Sequence, residues 1–220
     1  MKSDNMRFYS AMLMAGCGLH AAAQTQRPNI VFIITDDHSF QTISAYGSEV
    51  SKLAPTPNID RLANEGARFD DAFVENSLST PARACLLTGL YSHQNGQRTL
   101  GKGSDSAKTF VSELLQDAGY QTGVVGKWHM QCRPKGFDFF RIFEGQGDYY
   151  NPLVLSHDSN GKYEREQGYA TDIVTEHAVE FLNQRDEQKP FFLLVEHKAP
   201  HRTWMPNLKY LGLYDKVEFP

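Results

Sequence analysis

Asn29-Ile30-Val31-Phe32-Ile33-Ile34 is an unbroken run of β-branched and aromatic residues that leads into a pair of aspartates, Asp36 and Asp37. A run without polar alternation suits a strand buried on both faces, as inside a parallel sheet. Parallel strands need crossover connections, and the chain supplies helices between its apolar runs. Thr56-Pro57 opens a helix as N-cap and first residue, Ile59, Leu62 and Ala63 share its face, and Gly66 stops it. Arg68 to Val74 reads as a second strand, Pro81 to Leu87 as a short helix stopped by Gly89, and Thr109 to Ala118 as a helix ended by Gly119. Thr122 to Val125 follows as a strand. Thr171 caps a longer helix with Ile173, Val174, Ala178, Phe181 and Leu182 on one face, and Pro190 to Val195 is the last clear strand. The predicted class is α/β: a mostly parallel central sheet with helices on both faces.

Composition narrows the partners. The 220 residues, 40% hydrophobic and 12% aromatic, allow a sizeable core in one domain or at most two, and exclude a disordered or collagen-like chain. Lys and Arg number 22 against 26 Asp and Glu, a formal charge of −4. That field has the wrong sign for a nucleic-acid binder, so an anionic substrate needs local cations or a metal. Three cysteines are too few for a disulfide scaffold, and the sequence leaves open whether Cys85 and Cys132 pair.

Residues 1–23 read as a targeting segment rather than as fold. Lys2 and Arg7 precede a largely apolar stretch, Phe8 to Ala23, that closes on Ala21-Ala22-Ala23. This is the pattern of a secretory signal peptide, too short and too rich in Gly and Ala to remain as a transmembrane anchor. Met14-Ala15-Gly16-Cys17 offers a second reading, in which Cys17 is lipidated after cleavage. Either way the expectation is export, to the periplasm or beyond, with residues 24–220 as the folded part.

Open α/β sheets bind ligands beyond the carboxyl ends of their strands. Asp36 and Asp37 follow the first strand, and two adjacent carboxylates suit a hard divalent cation as well as a polar turn. Ser79-Thr80-Pro81-Ala82-Arg83 sets a hydroxyl before a helix start with a guanidinium one turn along, an arrangement that favours an anion. By themselves Ser79 and Thr80 also read as capping residues, and a serine with no base nearby is a poor nucleophile. Lys127 and His129 lie two apart, so an extended segment would point both to one side. His197 and His201 lie four apart, with Pro200 against a helix and no HExxH pattern for zinc.

Together these blocks resemble the type I sulfatases of the alkaline phosphatase superfamily. The resemblance runs from Arg27 to the last residue and rests on RPNIVFIITDD, on Ser79-Thr80-Pro81-Ala82-Arg83 followed by Ala84-Cys85-Leu86-Leu87-Thr88-Gly89, on GKWH and on HKAPH. It implies that Ser79 is converted to formylglycine by a radical sulfatase-maturating enzyme before export. It also implies that Ca2+ is held in part by Asp36, Asp37 and the residue-79 oxygen. Arg83 and Lys127 then steady the sulfate, His129 serves as base and His201 as the acid at the leaving oxygen, with Lys127 and His201 contacting the ester. HKAPHRTWMP resembles N-acetylglucosamine-6-sulfatase-like bacterial enzymes, which implies a sulfated carbohydrate as substrate. Gly145-Gln146-Gly147-Asp148-Tyr149-Tyr150-Asn151-Pro152 resembles a loop of bacterial carbohydrate sulfatases and carries no assigned role. His197, His38, His93 and Arg98 are secondary candidates for the pocket.

The chain also departs from that pattern. Family members run to roughly twice this length or more, and the family's later Asp-Asn or Asp-His metal block and its second lysine find no counterpart after His201, where the only aspartate is Asp215, followed by Lys216. The expectation is an N-terminal part of a catalytic domain, with an incomplete calcium site and a sheet left with an open apolar edge. Two other readings stand beside it: a non-catalytic fragment, and a phosphoesterase of the same superfamily with an unmodified nucleophile and zinc.

Overall fold

The computed structural model describes residues 27–101 and 107–220. The signal-peptide reading of residues 1–23 and the Cys17 alternative lie outside the described residues. The apolar runs become strands of one sheet: β1 (Ile30–Ile34), β2 (Gln121–Gly126), β3 (Phe139–Phe143), β4 (Leu153–Ser156), β5 (Tyr163–Arg165) and β6 (Phe191–Glu196). Their order is β1-β6-β2-β3-β4-β5. The first four in that order are parallel, and β4 and β5 are antiparallel to their neighbours. The helices are α1 (Glu49–Leu53), α2 (Pro57–Glu65), α3 (Ser79–Thr88), α4 (Ser92–Asn95), α5 (Val111–Asp117) and α6 (Ala170–Gln184).

β6 shows how the sheet divides the core. Its side chains alternate, so Phe192 and Leu194 join one apolar cluster while Phe191, Leu193 and Val195 join the other. The first cluster holds Ala84 and Leu87 of α3, Phe110 before α5, and Trp128 and Met130. The second holds Ala170, Ile173, Val174 and Phe181 of α6. Helices therefore cover both faces, as expected for an α/β layer structure.

Four expectations need correction. The run Asn29–Ile34 is not buried on both faces: β1 pairs only with β6 and forms the sheet edge, leaving Val31 50% and Ile33 54% exposed. Arg68 to Val74 forms no strand. Tyr46 donates to the Phe69 carbonyl (3.0 Å) and Arg68 donates to the Ala45 carbonyl (2.5 Å), tying the segment to neighbouring 3-10 turns rather than to the sheet. The helix expected from Pro81 begins at Ser79, and the one expected from Thr171 begins at Ala170 after Tyr169. Finally, β3, β4 and β5 were not anticipated, so the sheet is mixed although parallel pairs dominate its centre.

Candidate active site

Gly126, the last residue of β2, has φ 96°, and a Cβ there would lie 2.0 Å from the Glu196 carbonyl oxygen. Only glycine lets β2 and β6 meet this closely at their carboxyl ends. Lys127 N–H then donates to that same carbonyl (2.8 Å), and His197 N–H donates to Ile34 O (2.9 Å) across the next strand pair. Three adjacent strands, β1, β6 and β2, thus release their polar residues at one edge of the sheet. Ser79 arrives there as the first residue of α3, inside the helix rather than just before its start as the sequence suggested. The exposed amides and dipole at a helix start favour an anion beside it.

The side chains converge. Ser79 Oγ lies 2.7 Å from His129 Nδ1, and Thr80 Oγ1 donates to the His129 carbonyl at 3.0 Å. His129 adopts φ 49° and Gln131 φ 54°, so the backbone after Lys127 is not the extended segment that spacing suggested. The turn aims His129 at Ser79, while the fully buried Lys127 ammonium pairs with Asp36. Arg83, one turn beyond Ser79, is buried and donates through Nη1 to Glu196 Oε1 at 3.3 Å. Its Nε and Nη2 are buried without a hydrogen-bond partner among the described residues. Asp37, with φ 63°, is largely exposed, and His201 Nε2 stands 3.7 Å from its Oδ2.

Charge ties these groups into one cluster. Burial first, then the charges of Lys127 and Arg83, push the His129 imidazole down to about 4, with Asp36 opposing and His201 adding to the shift. His129 is therefore neutral near neutral pH, and its Nδ1 can accept a proton from the residue-79 oxygen. Burial also lowers Lys127, against the pull of Asp36. Glu196 is pushed up to about 7 by burial, against the attraction of Arg83 and Lys127. An otherwise acidic chain thus concentrates two buried cations, unpartnered guanidinium donors and a neutral base around one hydroxyl.

The structure brings together Asp36, Ser79, Arg83, Lys127, His129 and His201, with Asp37 beside His201. The secondary candidates fare less well. His197 is lowered by burial and its Nδ1 is unpartnered among the described residues, while His38 is lowered by burial alone. His93 stacks on Tyr91, and Arg98 is exposed, its carbonyl accepting from Asn76 Nδ2 at 3.2 Å. Cys85 is a free thiol beside Ser92 and Asn95, so it makes no bridge to Cys132. Glu196 escaped notice in the sequence, and Thr80 was read there only as a capping residue. Glu196 ends an otherwise apolar strand run, which is the signal that marks it.

The carboxylates of Asp36 and Asp37 have the donor chemistry for a hard cation. Among the described residues no group of three or more His, Cys, Asp or Glu assembles to hold a metal. Two carboxylates and the Ser79 oxygen fall short of the six to eight oxygens that calcium takes. Among the described residues no helix is long and apolar enough to cross a membrane.

The geometry has close counterparts. Residues 28–217 match the family model described as Sulfatase. An N-acetylglucosamine-6-O-sulfatase of Bacteroides thetaiotaomicron is 46% identical over 220 residues, covering 96% of this chain and 37% of that protein. Mouse arylsulfatase J is 31% identical over 222 residues, covering 89% of this chain and 36% of that protein. Among solved structures, that of BT4656 in complex with its substrate D-glucosamine-2-N,6-O-disulfate superposes with a TM-score of 0.84 at 47% identity. That match covers 89% of this chain and 39% of the other. The chain belongs to the sulfatase family. It spans little more than a third of the length of these two curated relatives.

Proposed function

We propose that this chain is the N-terminal part of a sulfuric ester hydrolase that removes sulfate from carbohydrate through a formylglycine made from Ser79. The observation that carries the reading is the contact of Ser79 Oγ with a neutral His129 at 2.7 Å, an imidazole that also feels the charges of the buried Lys127 and Arg83. A serine so placed has a base but, in its unmodified form, only one oxygen to offer.

As a hydrated formylglycine, residue 79 presents two. One diol oxygen gives up its proton to solvent and attacks sulfur in line, the bond from sulfur to the sugar oxygen breaks, and His201 protonates the departing oxygen. Arg83, through its unpartnered donors, and Lys127 hold the sulfate oxygens as charge develops. His129 then takes the proton of the second diol oxygen. The carbon–oxygen bond to sulfate breaks, sulfate leaves, the aldehyde returns, and water hydrates it again. Asp36, Asp37 and the residue-79 oxygen would hold part of a calcium site, whose ion when bound offsets the charge of the ester.

The substrate reading, a sulfated amino sugar, rests on the likeness to the N-acetylglucosamine-6-O-sulfatase. The partners proposed are that sugar and a maturating enzyme acting on Ser79, with no nucleic acid. Residues 1–23 would direct export to the periplasm or beyond. The test is sulfate release from N-acetylglucosamine 6-sulfate by protein made in a host with a sulfatase-maturating enzyme. Release that disappears in Ser79→Ala is expected. Equal release by Ser79→Ala, or cleavage of phosphate monoesters in place of sulfate esters, would contradict it.

A further inference from the structure

The Gly145–Pro152 segment, which the mechanism leaves without a task, lies against the stretch that carries His201. Tyr149 is buried and its hydroxyl donates to the His201 carbonyl at 2.5 Å. The hydroxyl of Tyr150 donates to Pro206 O at 2.8 Å and accepts from Leu208 N–H at 3.1 Å. Tyr169 donates to Met205 O at 2.9 Å. The three rings support one another: Tyr149 stacks on Tyr169 with centroids 6.0 Å apart, and Tyr150 meets Tyr169 edge-on at 5.1 Å. Their backbones are joined as well, Tyr150 bridging Tyr169 and Ala170 N–H donating to Tyr149 O at 2.8 Å.

Residues 201–207 form neither helix nor strand, so their carbonyls find no ladder to satisfy them. Three of them, at His201, Met205 and Pro206, are met by tyrosine hydroxyls instead. Asn207 adds a side-chain bond to Asp172 Oδ2 at 2.9 Å, at the start of α6. An irregular segment is thereby tied to the start of α6, whose Ala170 and Ile173 belong to the second core cluster.

The geometry points to Tyr149, supported by Tyr150 and Tyr169, as a positioning residue that sets the placement of the His201 imidazole beside Asp37. The consequence for turnover rests on the sulfatase chemistry proposed above; the positioning itself does not. An acid aimed at a leaving oxygen works only within hydrogen-bond reach, so a displaced His201 penalises esters whose alkoxide needs protonation. An aryl sulfate, whose phenolate leaves readily, needs that proton far less.

Tyr149→Phe keeps the ring, its stacking on Tyr169 and the Lys198 ammonium 5.0 Å over its face, and removes only the hydroxyl. Two readouts are taken on the expressed protein. The first needs no turnover. Backbone amide exchange across residues 201–206 is expected to quicken about five- to tenfold, the worth of one hydrogen bond, with the His201 imidazole resonances shifted and β2 and β6 unchanged. The second is kinetic. The kcat on N-acetylglucosamine 6-sulfate is expected to fall about tenfold or more at similar KM, while 4-nitrophenyl sulfate turnover changes little. Unchanged exchange and unchanged His201 resonances would overturn the positioning role whatever the activity. Faster exchange throughout the sheet, with both esters equally impaired, would overturn it too, by making Tyr149 a packing residue only. Wild-type protein that cleaves neither ester counts against the sulfatase reading, and the exchange and resonance data then decide the positioning alone.

Discussion

Ser79 and His129 are 50 positions apart in sequence, yet Ser79 Oγ and His129 Nδ1 lie 2.7 Å from each other, with Thr80 gripping the His129 carbonyl. Burial and the neighbouring Lys127 and Arg83 keep that imidazole neutral. Its proposed task comes after sulfur has been attacked, when the second diol oxygen must lose a proton. His129→Ala is therefore expected to slow turnover by about two to four orders of magnitude and to leave sulfate attached to residue 79. Intact-protein mass after incubation with substrate checks this. An unsulfated resting protein with the same low rate would assign His129 to the first step instead.

The junction of β2 and β6 holds the site's geometry. In Gly126→Ala the new methyl would meet the Glu196 carbonyl oxygen at 2.0 Å on a left-handed backbone. A loss of more than about 3 kcal/mol in folding stability is expected, read from the urea midpoint. A near-wild-type midpoint would mean that the strand ends can part.

Glu196 gives a pH signature. Its ordinary value of 4.5 is pushed up to about 7 in the folded chain by burial. The folded state thus binds the proton more tightly than the unfolded one. Its contribution to stability is complete below about pH 4.5 and is lost as pH rises through about 7. Glu196→Gln cannot titrate, so its stability relative to wild type is expected to improve by on the order of 3 kcal/mol between those limits. Chemical unfolding of both proteins from pH 4 to pH 8 measures it, and a constant difference would show that Arg83 holds the carboxylate ionised.

Asp36 and Asp37 provide carboxylate oxygens but too few of them. Calcium is expected to raise the melting temperature of the 220-residue chain only slightly. In the paired variant Asp36→Asn, Asp37→Asn that response should vanish. A large shift in wild type would reveal ligands beyond these two carboxylates and the Ser79 oxygen, and an equal shift in the variant would remove them from the metal site.

Much of the site was legible in the sequence because it is local. A polar residue directly after an apolar run lands at a strand end, which places Asp36, Lys127, His129 and His201 without knowledge of the strand order. Ser79 was legible through its motif, although the preceding segment proved not to be a strand. What could not be read is set by long-range pairing. β1 has the composition of a buried strand, but its exposure depends on which strands flank it, and here only β6 does. The short β4 and β5 carry too few residues for a periodic signal, and their antiparallel pairing with β3 makes the sheet mixed. The links from Arg83 to Glu196 and from Tyr149 to His201 join residues 113 and 52 positions apart, and no local pattern announces them.

The most direct measurement is the mass of the tryptic peptide Phe69 to Arg83 from protein made in a host with a sulfatase-maturating enzyme. Conversion of Ser79 to formylglycine makes that peptide lighter by two hydrogen atoms and reactive toward hydrazide. That is the expected result. A peptide carrying unmodified serine and inert to hydrazide, from a host that matures a control sulfatase, would contradict the proposed chemistry at its first step.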